Sequence, residues 1–287
     1  MGLPREDLIR LSQPRLWRWL LAWGVHVGLI AGALALARAV DHPLAYAAAV
    51  PWVSGHLHGI AVLGHDGAHW NATRNKRLND ALTNALCFLP FGFPLRRYRA
   101  WHLDHHRHLG SPLDPELSTI KRWRQDRYTL PVTPGRLRAR VLRGMLGGDA
   151  PDLLMLARLF GPETAVEVAT TLAVFAALGG AVYALSLAWV VPVLAACMLL
   201  QIPVYNALRT QFEHCGTPST HRLRLGPLAR FFLGPHHVLE YHFEHHAWPS
   251  VPFYNLPETR AYETTTPVIS LAALRAWMAA PDRASAP

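Results

Sequence analysis

Cysteine is scarce: Cys87, Cys197 and Cys215 are the only three in 287 residues, and no C-x-x-C occurs. That excludes a disulfide framework and argues against a thiolate metal site. The opening MGLPREDLIRLSQPRLWRW lacks the short apolar core and small-residue cleavage site of a secretory signal. The first apolar segment is therefore expected to stay in the chain. Charge is missing over long stretches. Residues 171–200, TLAVFAALGGAVYALSLAWVVPVLAACMLL, carry none, and about 20 apolar residues suffice to cross a bilayer core. A second run is LLAWGVHVGLIAGALALA at 20–37. A third, 44–64, is apolar apart from Ser54, His56 and His58. A soluble domain would scatter such residues periodically, so this gathering predicts a multi-pass membrane protein.

Four transmembrane helices are expected, at about 16–38, 44–64, 165–185 and 187–207, in an all-α protein whose residues 1–287 form a single domain. Short links at 39–43 (AVDHP) and near Leu185–Leu187 fold them into two hairpins. The apolar stretch 81–95 is broken by Pro90 and Pro94, which suits an interfacial or re-entrant segment better than a span. The 120–150 region, rich in Arg and Pro, reads as a surface arm. Arg5, Arg10, Arg15 and Arg18 precede the first span. Arg74, Lys76, Arg77, Arg96, Arg97, Arg99 and Arg107 lie in the 65–164 connection, and Arg209, Arg222, Arg224 and Arg230 follow the last span. Positive residues mark the cytoplasmic face. Both termini and a cap built from 65–164 and 208–287 are thus expected inside. The net charge of +9 then follows from topology and calls for no nucleic-acid partner. Trp17, Trp19, Trp23, Trp70, Trp101 and Trp248 are read as an interfacial belt.

Of the seventeen histidines, most lie just beyond the spans. His65 and His69 form H-x-x-x-H in GHDGAHW. His102, His105 and His106 form H-x-x-H-H in WHLDHH. His242, His245 and His246 repeat that pattern in YHFEHH, and His214 closes RTQFEH. On a helix, residues i, i+3 and i+4 share a face, so each box is a small claw of nitrogen donors. Nine imidazoles exceed the four to six ligands of one ion and suit two metals in one cavity. Imidazole serves iron, zinc, copper and nickel alike. There is no H-E-x-x-H of a zinc protease and no E-x-x-H of the soluble di-iron carboxylate bundles. A bis-histidine haem protein would carry its ligands inside the spans. A histidine-rich metal transporter would line the membrane path with ionisable residues, and the third and fourth spans are nearly bare of them. His26, His42, the pairs His56/His58 and His236/His237, and His108 and His221 are left out of the site.

GHDGAH, WHLDHHRHLGSPLDPE and YHFEHHAWPSVPFYNLP resemble the three histidine boxes, with their flanks, of the membrane fatty acid desaturase superfamily. The likeness extends over about 44–260. That superfamily includes acyl-lipid desaturases, carotenoid ketolases and hydroxylases, alkane hydroxylases and sphingolipid hydroxylases. The resemblance implies four membrane helices under a cytosolic helical cap, two iron ions held almost wholly by histidine, and O2 as co-substrate. It assigns His65, His69, His102, His105, His106, His242, His245 and His246 as ligands, with His214 as the ninth. Arg209 and Glu213 match a neighbouring pattern whose family role is to pair with or support ligands, and a plain surface salt bridge is the alternative reading of the two. Asp66, Asp104, Asp114 and Glu244, adjacent to the boxes, are candidates to accept the outer N–H of ligating imidazoles. An Asn that relatives often carry before the last box is absent from PHHVLEYH.

The implied chemistry removes hydrogen from an unactivated C–H bond of a lipid. Loss of a neighbouring hydrogen gives a double bond, and return of oxygen gives an alcohol. No rubredoxin-type C-x-x-C or haem-binding H-P-G-G is present, since His42–Pro43 continues with Leu44. Electrons are therefore expected from a separate ferredoxin, rubredoxin or similar donor. The short first box and the flanks YHFEHH and PSVPFYNLP favour an acyl-lipid desaturase. A carotenoid ketolase or hydroxylase, or another lipid or alkane hydroxylase, is the alternative within the same chemistry.

Overall fold

The computed structural model describes residues 2–116, 118 and 129–280. Helix dominates. The only strands among the described residues are Leu223–Arg224 and Ile269–Ser270, a parallel pair in which Leu223 faces Ile269. Two compact units emerge. One holds Arg15–Arg99 and Gly144–Val204. The other holds the described residues of Met1–Pro14, Ala100–Arg143 and Tyr205–Pro287. Residues 65–99 and 144–164, expected in the cap, fall in the same unit as the apolar helices.

Among the described residues, three helices are long and apolar enough to cross a membrane: Leu16–Val40, Ala165–Ala184 and Val190–His214. At 1.5 Å per residue, 25 residues of helix reach about 37 Å, more than a bilayer's hydrocarbon core. Leu16–Val40 leaves Leu20, Leu21, Val25, Leu29 and Leu36 exposed, and Ala165–Ala184 leaves Val166, Leu172, Phe175 and Leu178 exposed. Surfaces of that kind need an apolar solvent. The expected second span is also one helix, Pro43–Ala68, of ample length. It is not among the three, because Ser54, His56 and His58 interrupt its apolar run, and all three are buried.

The first hairpin forms at the predicted link. Asp41 takes a left-handed conformation (φ 47°), and His42 caps the next helix by accepting the Leu44 N–H at 3.2 Å. Leu34, Ala37, Ala49, Val53, Val190, Val193 and Cys197 build the core of this unit. Gly59 makes room for His26: a Cβ there would stand 2.2 Å from the imidazole, which meets His56 Nδ1 to Nδ1 at 2.8 Å. Thr164 and Glu167 form a reciprocal capping box at the start of Ala165–Ala184. The stretch 81–95 is broken, as its prolines required. The helix Lys76–Thr83 runs into a π turn, Asn84–Phe88, then a 3₁₀ turn, Leu89–Phe91, ending at Gly92 with φ 82°. Another π turn, Cys197–Gln201, interrupts Val190–His214.

In the other unit, the short helix Arg5–Leu11 packs Leu11 against Trp248, Val251 and Leu256. Asn255 Nδ2 donates to the Leu11 carbonyl at 2.7 Å. The helix Pro134–Arg143 has no buried residue, in keeping with a surface arm. Residues 120–128 of that arm lie outside the described residues. The tryptophan belt is corrected in part. Trp19 is buried, donating to the Leu63 carbonyl at 3.2 Å, and Trp248 belongs to an apolar core.

Candidate metal centre

The second box lies in the helix Leu95–His108 and the third in the helix His242–Ala247. Within the unit that holds them, six imidazoles converge as two triads. His106 Nε2 stands 3.1 Å from both His102 Nε2 and His245 Nε2. His242 Nε2 likewise stands 3.1 Å from both His214 Nε2 and His246 Nε2. The triads meet where the rings of His106 and His246 stack with centroids 4.1 Å apart. The seventh imidazole, His105, offers a nitrogen within 4.8 Å of donors on His214 and His246.

Two of these rings are held from behind by hydrogen bonds to Nδ1, which leave Nε2 free. His105 Nδ1 donates to Asp114 Oδ1 at 2.8 Å. Asp114 is fully buried and also accepts the backbone N–H of Glu116 (2.9 Å) and Gly110 (3.2 Å). Gly110 must be glycine on two counts: its φ is 71°, and a Cβ would lie 1.8 Å from the Pro218 carbonyl oxygen. His214 Nδ1 donates to the Ser219 carbonyl at 3.1 Å. Glu213 is 1% exposed and takes both oxygens to Arg209 Nη1, at 2.6 and 2.8 Å. Its Oε1 also stands 3.5 Å from His242 Nδ1. This pair is interior, not a surface salt bridge.

Electrostatics sort the ligands. Burial, reinforced by His246 and His214, holds His242 well below the usual imidazole range, so it is neutral and able to ligate. Burial also pushes His105 down, but Glu116 and the hydrogen bond to Asp114 outweigh it and raise it. The Asp114 carboxyl is correspondingly lowered, since His105 and the two N–H donors prevail over its burial.

The first box lies in the other unit. His65 is in the last turn of Pro43–Ala68 and His69 is its C-cap, with ring centroids 5.3 Å apart. Burial, with help from Arg99, pushes His69 down to about 3. Arg99 caps this helix end, donating to the Ala68 and Gly67 carbonyls at 2.8 and 3.3 Å, and is pinned by Asp80 at 2.6 Å. It also lies 4.3 Å over Trp70. Asp66 is buried and accepts from Asn71 Nδ2 at 3.2 Å.

Two of the carboxylates near the boxes sit elsewhere than expected. Asp104 is on the outer side of its helix, half exposed, pairing with Arg107 and His108 at 3.2 and 3.1 Å. Glu244 is fully buried but faces arginines: Arg222 Nε at 2.7 Å and Arg260 Nε at 3.1 Å. Sequence reasoning passed over both arginines. It also passed over Glu116, which is buried with Oε2 3.5 Å from His105 Nε2. Its signal was present in the same PLDPE that nominated Asp114. In PHHVLEYH, His236 and His237 adopt positive φ (50° and 66°) and pack edge-on against Phe253 and Tyr241.

The donor set fits metal. Two nitrogens each about 2.1 Å from one ion and about 95° apart stand about 3.1 Å from each other, the spacing repeated in both triads. A helical chain with membrane-length apolar helices and such an imidazole cluster defines a class of histidine-rich membrane protein able to hold metal. The fatty acid desaturase family model matches residues 41–268, and the chain belongs to that family. It is similar to two beta-carotene ketolases of Paracoccus sp. One is 26% identical over 90% of this chain and 96% of its own length, the other 28% identical over 84% and 88%. It is also similar to a sphingolipid delta(4)-desaturase/C4-monooxygenase of Homo sapiens, 28% identical over 85% of this chain and 66% of that protein. Family and relatives make this chain an oxidoreductase, and its apolar helices make it a membrane protein.

Proposed function

We propose that the chain is an O2-dependent di-iron oxidoreductase that acts on an unactivated C–H bond of a membrane lipid. The observation that carries the reading is the pair of imidazole triads with 3.1 Å between facing Nε2 atoms. The ligands are His102, His105, His106, His214, His242, His245 and His246, joined on the strength of their box pattern by His65 and His69. Bound iron supplies the O2 activation that such C–H oxidation requires. The protein's part is orientation. Asp114 and the Ser219 carbonyl fix the tautomers of His105 and His214, and Glu213 stands behind His242.

The substrate reading favoured is a carotenoid, oxidised as by a ketolase or hydroxylase, because the ketolase relatives match over most of both chains. Acyl-lipid desaturation is the second reading. The sphingolipid relative, whose name joins desaturation to monooxygenation, supports it. Electrons come from a separate ferredoxin, rubredoxin or similar protein. The chain crosses the bilayer four times, with its termini and metal centre on the cytoplasmic face. The test is expression in a host that supplies ferredoxin and accumulates carotenoids, with mass spectrometry of all lipids. A new keto or hydroxyl group on a carotenoid is expected. A new acyl double bond with unchanged carotenoids would select the second reading. Unaltered lipids beside an iron-loaded chain would refute both.

A further inference from the structure

Every buried carboxylate near the centre is accounted for except one. Glu213 is paired with Arg209, Glu244 with Arg222 and Arg260, and Asp114 accepts three hydrogen bonds. Glu116 is only 7% exposed, yet it has no lysine or arginine partner among the described residues. Its Oε1 is buried without a hydrogen-bond partner among them. Its Oε2 stands 3.5 Å from His105 Nε2, the nitrogen left free when Nδ1 donates to Asp114. Its backbone N–H is bonded to that same Asp114 carboxylate, which fixes where its side chain starts.

A buried carboxylate that faces only an imidazole is costly unless that ring is protonated, and a protonated ring cannot ligate metal. Neutral imidazoles alone leave two divalent ions uncompensated, and the ions are then the largest local charges. The two deficits cancel if Glu116 faces metal. An oxygen and a nitrogen bound to one ion at about 2.1 Å, about 110° apart, stand about 3.4 Å from each other. We propose that Glu116 is a carboxylate ligand of the metal centre, bound to the ion that His105 ligates. The centre is then not purely histidine. This inference rests on the two-metal reading above.

Co2+ serves as the probe, because its visible bands report coordination. The full chain, purified in detergent and stripped of metal, is titrated with Co2+ alone. Wild type should bind two ions. Glu116→Gln should bind one of them at least about tenfold more weakly, with shifted bands. Thermal unfolding gives a second readout. Without metal, Glu116→Gln should unfold at the same temperature as wild type or higher, since a buried carboxylate with no lysine or arginine partner is gone. It should nevertheless gain less on adding Co2+. Identical affinities and bands in the two proteins would overturn the proposal. So would a lower unfolding temperature of the metal-free variant with both ions weakened alike, which would make Glu116 a fold residue. Fewer than two Co2+ in wild type would overturn the two-metal reading, and this inference with it, before any variant is compared.

Discussion

At the scale of single residues, the centre depends on which ring nitrogen each histidine presents. His105 shows how this is enforced. Asp114 takes the Nδ1 proton, so Nε2 is the free donor. His105→Ala removes one donor and leaves Asp114 buried with only two backbone partners. Product formation should be abolished while the protein still inserts into membranes; full activity would remove His105 from the ligand set. Asp114→Asn is the subtler change. Asparagine has one acceptor oxygen, whereas Asp114 uses two, one toward His105 and Glu116 and the other toward Gly110. An amide N–H would therefore face a donor. Metal affinity should drop about 10- to 100-fold, as read by competition with a chelator of known strength. Affinity within twofold of wild type would show that the carboxylate does not orient the ligand.

At the scale of elements, the boxes were legible because i, i+3 and i+4 spacing is local, and both H-x-x-H-H words do form helix. What holds those helices was not legible, because their partners are remote in sequence. His242–Ala247 has six residues, too few to persist alone. Glu244 in its middle anchors it through Arg222 and Arg260, 22 and 16 residues away, and neither spacing carries a pattern. Arg222 is itself buried and donates to the Thr266 carbonyl as well. Breaking a buried pair by removing one partner costs about 3–5 kcal/mol. Arg222→Met should lose about that much in denaturant unfolding of the detergent-solubilised protein, and adding Glu244→Gln should recover part of it. An unchanged midpoint for Arg222→Met would mean that Arg260 alone anchors the helix. Glu116 escaped for a related reason: a carboxylate in a polar loop looks solvated until burial is known. The segment 44–64 shows the converse. Its helix was predictable from its apolar run, but its buried polar residues could only be located in three dimensions.

At the scale of the whole chain, the remaining question is which side of the membrane the boxes face. Arginine argues for the cytoplasm. Arg5, Arg10, Arg15 and Arg18 precede the helix Leu16–Val40 or open it, whereas Arg38 is the only basic residue near the tip at Asp41–His42. Basic residues close to span ends are retained inside. The tip should then lie outside, and Pro43–Ala68 should bring His65 and His69 back to the cytoplasmic side. A reporter active only outside the cytoplasm, inserted at Asp41–His42, should be active. The same reporter fused after the last residue should be silent, and a cytoplasm-dependent fluorescent reporter should give the reverse pattern. If Pro43–Ala68 does not cross, its buried Ser54, His56 and His58 being too polar, the histidines of the first box would remain with the tip. After three crossings instead of four, the C-terminus would lie outside with the tip, so its fusion would be active too, and a third insertion, after Trp70, checks the case directly. Silence there is expected for a crossing helix. Activity at both Asp41–His42 and Trp70 would place the first box outside and would exclude a cytoplasmic centre.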